Sequence, residues 1–172
     1  RILTTLSSSA YTRHFNKPAC STRCLPPQAA TVHANFLSSH EANSLLLYIR
    51  ENTLKRKRFE MNHFDDIILN YKEGEMNCIE DEEVGEVIKR VCSFIDGSLD
   101  WLNPHAILLR GGEKERREIK PHVDSIKFSG GIVAGLSLNS SRVLRLRPEV
   151  EDASSIGYFV DLFAEKNSLY IL

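Results

Sequence analysis

Apolar residues recur along this chain with two different periods, and the change of period separates helices from strands. Ala42, Leu45, Leu46 and Ile49 fall three and four residues apart, the spacing that lines one face of a helix. Ser38 and Glu41 stand just ahead at capping-box spacing, with Phe36 and Leu37 as apolar residues for a staple, so an amphipathic helix is predicted to run to about Thr53. Val84, Val87, Ile88, Val91 and Ile95 repeat the pattern. Glu80 to Glu83 set carboxylates at the positive end of that helix, predicted from Asp81 to Ile95 and ended by Asp96-Gly97.

The rest reads as short runs of strand character. Phe59 to Tyr71 is predicted as a pair of short strands, Trp101 to Pro104 as a loop, and His105 to Leu109 as a buried strand. Ile119–Phe128, Ile132–Leu138, Val143–Arg147, Gly157–Phe163 and Ser168–Leu172 follow. Between them lie Ser129-Gly130-Gly131, Asn139-Ser140-Ser141, the loop Pro148 to Ser155, and Glu165-Lys166-Asn167. Runs joined by such short turns predict antiparallel pairing, and alternation in Val143–Arg147 predicts one wet face. The fold class expected is mainly β with flanking helices, α+β.

A chain of 172 residues can hold one domain with a real core. No apolar run approaches the roughly 20 residues of a membrane span. The formal net charge of -1 conceals an asymmetry: Arg1, Arg13, Lys17 and Arg23 are the only charged residues among the first 40, which leaves the remainder at -5. A Ser/Thr-rich, Arg-bearing, acid-free N-terminus has the composition of a mitochondrial transit peptide or of a disordered tail, expected over residues 1–33. Cys20 and Cys24 lie within it, and Cys78 and Cys92 stand apart. The four cysteines thus form neither a disulfide framework nor a zinc pattern. The acidic remainder disfavours a phosphate-backbone grip. The basic run Lys55-Arg56-Lys57-Arg58 reads as the solvated end of a helix or a small anion contact.

The chemistry centres on Ile119 to Phe128, where His122 and Asp124 stand two residues apart. In a strand such residues share a face, so an imidazole nitrogen and a carboxylate oxygen can meet at one metal. They supply two ligands of a His-x-Asp…His facial triad for Fe(II). An edge-strand histidine bonded to a neighbour is the structural alternative. His63 and Asp65 make a second such pair and a rival site. The charged stretch Arg110 to Glu118 reads as a solvated hairpin loop, with a substrate lid as the alternative.

The runs Ile119 to Phe128, Ile132 to Leu138 and Ser168-Leu169-Tyr170-Ile171-Leu172 closely resemble the AlkB-homologue dioxygenases, in particular their mitochondrial branch, from about Phe36 to the last residue. The resemblance implies a double-stranded β-helix (jelly roll) over residues 34–172, with Fe(II) as metal and 2-oxoglutarate and dioxygen as cosubstrates. It implies His122 and Asp124 as metal ligands and Tyr170 as a contact of 2-oxoglutarate, although an aromatic anchoring a strand would serve there too. It also implies a mitochondrial-matrix location, a link to programmed necrosis and fatty-acid metabolism, and a protein or small-molecule substrate rather than nucleic acid. The family's second metal histidine and its cosubstrate-binding arginines follow the Tyr-Ile-Leu strand, and no such residue follows Tyr170 here. The chain is therefore expected to be C-terminally truncated, incomplete at its start and inactive alone, with a non-catalytic binding module as the alternative. The apolar run ending at Leu172 is expected to leave an unpaired strand edge.

Overall fold

The computed structural model describes residues 2–6, 30–62, 67–77, 81–110, 119–123, 131–147 and 159–172. Helix α1 spans Ser39–Tyr48 and starts with the predicted capping box: the Ser38 hydroxyl accepts from the Glu41 N–H, and Glu41 accepts from the Ser38 N–H. Its continuation Ile49–Thr53 widens into a π-helical turn, closed by the Leu54 N–H on the Ile49 carbonyl at 2.8 Å. Helix α2 spans Glu82–Asp96, with the Asp81 carboxylate accepting from the Val84 N–H at 3.0 Å. Gly97 ends it with φ of -71°, so no left-handed residue is required there.

Nine strands are described: β1 (Ile2–Leu6), β2 (Thr31–His33), β3 (Glu60–Asn62), β4 (Leu69–Glu75), β5 (His105–Leu109), β6 (Ala134–Ser137), β7 (Arg142–Leu146), β8 (Val160–Ala164) and β9 (Ser168–Ile171). They form a seven-stranded sheet in the order β2-β9-β6-β1-β5-β4-β3 and a two-stranded ribbon, β7-β8. Pairing is antiparallel except at β1, which runs parallel to both β5 and β6. The architecture is α+β, as expected. The stretch with leader-like composition contributes β1 to the middle of the sheet and β2 to its edge.

Alternation along the strands sorts their side chains between two faces. Ala106, Ala134, Leu136 and Leu169 point to the helical side and share a core with Leu45, Ile49, Val84 and Val91, all eight at 0–1% exposure. Gly135 and Ser137, paired with Tyr170 and Ser168, point to the opposite side. Tyr71, Ile107 and Leu109 form a smaller apolar cluster of their own. The ribbon lies against β2 and β9. On β7, Arg142, Leu144 and Leu146 are the more buried positions, while Val143 and Arg145 are exposed.

Three expectations change. Among the described residues of the run from Ile119, ladder bonding is seen at the Ile119 bridge to Ile68 and the Lys120 N–H on the Ile67 carbonyl at 2.9 Å. Pro121 follows with no N–H to give, and residues 121–123 are not strand. The apolar C-terminal run is not an open edge either, because β9 is paired on both sides, by β2 and β6. Third, the strand predicted from Val143 begins one residue earlier, at Arg142.

Candidate functional site

Tyr170 is the best-placed of the predicted site residues. It is 4% exposed and lies directly across from Gly135 in the β6-β9 ladder. Its ring crosses the glycine so closely that a Cβ there would overlap the ring carbons and the hydroxyl. Gly135 is thus required by the ring above it. Along the same face, Ser137 stands opposite Ser168, and these are the buried polar residues among the described ones. Each serine donates to a nearby carbonyl, Ser137 to Ser140 at 2.9 Å and Ser168 to Glu165 at 2.6 Å. On β6 and β9 that face therefore carries Gly135, Ser137 and Ser168 beside the Tyr170 ring.

Arg142 closes this patch from the ribbon. Its Nε donates to the Ser137 hydroxyl at 3.1 Å. Burial pushes the guanidinium below the usual arginine value, with the nearby Tyr170 pulling the other way. Sequence reading missed Arg142 because it started the strand at Val143. The period-2 alternation carried one residue further back, with Arg142, Leu144 and Leu146 on one side, was the available signal.

His122 lies in an exposed, non-strand segment. Its Nδ1 is 2.8 Å from the Lys120 carbonyl. A carbonyl can only accept, so Nδ1 carries the proton and the lone pair sits on Nε2. That arrangement suits a metal-ligating histidine, whose other ring nitrogen commonly donates to a carbonyl or carboxylate. Asp124, the rival pair His63 and Asp65, and residues 111–118 of the charged loop lie outside the described residues. Among the described residues, no group of three His, Cys, Asp or Glu side chains stands close enough to hold a metal.

The remaining candidates have structural partners. Lys55 pairs with Glu51 at 2.9 Å, one helical turn away, and His40 pairs with Glu83 at 2.8 Å. Cys92 is half-buried and not in a disulfide. On the helical side, α1 and α2 flank a groove lined by Glu41, Asp81, Glu82, Glu83, Glu86 and Arg90. The Arg90 guanidinium crosses it to Glu41 and to the Phe36 carbonyl. It holds the Glu41 carboxyl down to about 2 from 4.5. Among the described residues, no helix is long and apolar enough to cross a membrane.

No protein-family profile matches the chain. Two mammalian proteins do. The mouse (Mus musculus) protein named alpha-ketoglutarate-dependent dioxygenase alkB homolog 7, mitochondrial, is 37% identical over 144 residues, covering 83% of this chain and 61% of its own length. The bovine (Bos taurus) protein of the same name is 35% identical over 173 residues, covering 99% of this chain and 72% of its own length. The chain thus spans less than two thirds of the mouse relative.

Proposed function

The chain belongs to the AlkB-homologue family of alpha-ketoglutarate-dependent dioxygenases, as a relative of alkB homolog 7, and from that membership we propose that it is the body of an Fe(II)- and 2-oxoglutarate-dependent oxygenase. The observation that carries the proposal is 35% identity along nearly the whole chain to a protein named for that dependence. The two relatives are designated mitochondrial, and the chain shares that location; the matrix, and a leader over residues 1–33, are part of the proposal. So are the double-stranded β-helix and the branch's link to programmed necrosis and fatty-acid metabolism.

In this reading His122 and Asp124 hold Fe(II), and the fixed His122 tautomer presents Nε2 to it. Bound Fe(II) supplies the activation of dioxygen that couples decarboxylation of 2-oxoglutarate, to succinate and CO2, with insertion of the second oxygen atom into a substrate C–H bond. Tyr170 would donate a hydrogen bond from its hydroxyl to the cosubstrate, its ring position being set by packing over Gly135. Ser137 and Ser168 share that face with Tyr170. The mildly acidic body favours a protein or small-molecule substrate over nucleic acid.

The alternative is a non-catalytic binding module on the same fold. The test is Fe(II)-dependent conversion of 2-oxoglutarate to succinate by the 172 residues and by a longer version matching the relatives' full length. Turnover by the longer protein, lost in His122→Ala, is expected. Silence from both would favour the binding module.

A further inference from the structure

We propose that the basic run Arg56-Lys57-Arg58, with Lys72 and Arg110 beside it and Met61 as its apolar tip, docks this chain on the surface of an anionic lipid bilayer. The inference is independent of the oxygenase reading.

The run is held at both ends. Leu54, 3% exposed, anchors its start where the π-helical turn closes, and the Lys57 N–H bonds back to the Leu54 carbonyl at 3.1 Å. Thr53 and Leu54 pack over Gly74 of β4, where a Cβ would strike the Thr53 side chain. At the other end Phe59 stands one step beyond the Glu60–Tyr71 pair, across from Lys72. Lys72 Nζ lies 4.7 Å and Arg110 Cζ 5.1 Å from the centroid of the Phe59 ring, close enough for the ring to attract each cation. The Arg110 N–H bonds the Asn70 carbonyl at 2.7 Å. That bond continues the β4-β5 ladder two residues from Lys72, on the face that Lys72 shares.

This end of the sheet gathers like charges without acids to match. Arg56, Lys57 and Arg58 are exposed. Among the described residues no carboxylate pairs with them, with Lys72 or with Arg110. Lys55 is taken by Glu51, and Glu60 accepts from the Tyr71 hydroxyl at 3.0 Å on the opposite face of the sheet. Two cations at one ring repel each other, and an external anion relieves that repulsion.

Met61 decides which anion. It follows Phe59 by two residues, on the same side of the end strand, and is 75% exposed. An apolar side chain beside a cluster of cations is the chemistry of an interfacial contact. The methionine enters the boundary between headgroups and acyl chains while Lys and Arg meet anionic headgroups. A phosphate backbone needs only the cations, and the net charge of -5 beyond residue 40 repels a long polyanion.

Cosedimentation of the 172-residue chain with vesicles tests the proposal. The vesicles are phosphatidylcholine alone, or phosphatidylcholine with about 30% of the anionic lipid phosphatidylglycerol. Wild type should bind the anionic vesicles only, and less as salt rises. The triple variant Arg56→Gln/Lys57→Gln/Arg58→Gln should bind about a hundredfold more weakly, at about fivefold for each cation. A second triple variant, Lys89→Gln/Arg147→Gln/Lys166→Gln, removes the same charge from α2, the ribbon and the β8-β9 turn and should lose far less. Both variants keep Arg1, Arg13, Lys17 and Arg23, so any binding through those residues is common to all. Arg110→Gln should cost about fivefold and reports on the same surface if circular dichroism shows the first triple variant misfolded. Met61→Ser should weaken binding about tenfold at every salt concentration. Equal weakening by the two triple variants would overturn the proposal, as would wild-type binding by the first of them or by Met61→Ser. Tighter binding of a single-stranded oligoribonucleotide than of the vesicles would assign the surface to nucleic acid instead.

Discussion

Gly135→Ala drives a methyl group into the ring of Tyr170. The new Cβ would overlap ring carbons and the hydroxyl, and the ring has little room to withdraw. Tyr170 is 4% exposed, and β9 is held on one side by β2 and on the other by β6 itself. Overpacking of this kind costs about 1–3 kcal/mol. Alanine recovers about 0.5–1 kcal/mol over glycine in a strand interior, so a net loss of about 1–2 kcal/mol is expected. Tyr170→Ala alone should cost about 3–5 kcal/mol, as for other large aromatic truncations. With the ring gone, the three atoms nearest the new methyl group are removed, and Gly135→Ala should be neutral or slightly stabilising. The two substitutions should therefore couple by about 2 kcal/mol, well above the few tenths expected of independent sites. Urea denaturation of the wild type, both single variants and the double variant, with a common m-value, measures the cycle. An equal cost for Gly135→Ala with and without Tyr170 would refute the close approach, and with it the positioning of the Tyr170 hydroxyl.

Two further changes test the frame around that face. The Arg90 guanidinium holds Glu41 down to about 2 from 4.5, so Glu41 contributes stability that is full above 4.5 and is lost as the pH falls through the window towards 2. Wild type should lose stability across that window more steeply than Glu41→Gln, which keeps the capping geometry but does not titrate; superimposable pH profiles would contradict the ion-pair account. Asn167 turns the chain into β9 at φ of 66°, and its side-chain oxygen finds no hydrogen-bond partner among the described residues. Asn167→Gly should therefore fall within about 0.5 kcal/mol of wild type, whereas Asn167→Ala should lose about 1 kcal/mol to left-handed strain. Thermal melts of the pair decide it, and the reverse order would show that the Asn167 side chain matters more than its backbone.

The candidate site was only partly legible. Tyr170 came from resemblance, and the structure adds the reason for its place, the side-chain-free patch at Gly135. His122 was read on the premise that it lies in a strand. In the structure residues 121–123 are not strand, and Pro121 has no N–H to give to a ladder. The relation of His122 to Asp124 therefore depends on the fold beyond the described residues, and the rule that alternate strand residues share a face does not settle it. Arg142 escaped notice because its value depends on Ser137, across a turn, and on Tyr170, 28 positions later.

What the sequence determined by itself is what neighbours within a few residues decide. The Ser38–Glu41 capping box, the apolar stripe of α2 with Asp81 at its head, and the Glu165–Asn167 turn each depend on contacts three or four positions apart. The tertiary structure alone decided which strands are neighbours. A run such as Ser168–Ile171 is equally competent as an edge or a central strand. Its burial between β2 and β6 depends on Thr31–His33, more than a hundred residues away, and no local pattern encodes that choice. The same holds for the patch formed by Gly135, Ser137, Arg142 and Tyr170: its members meet only when pairing and burial bring β6, β7 and β9 together.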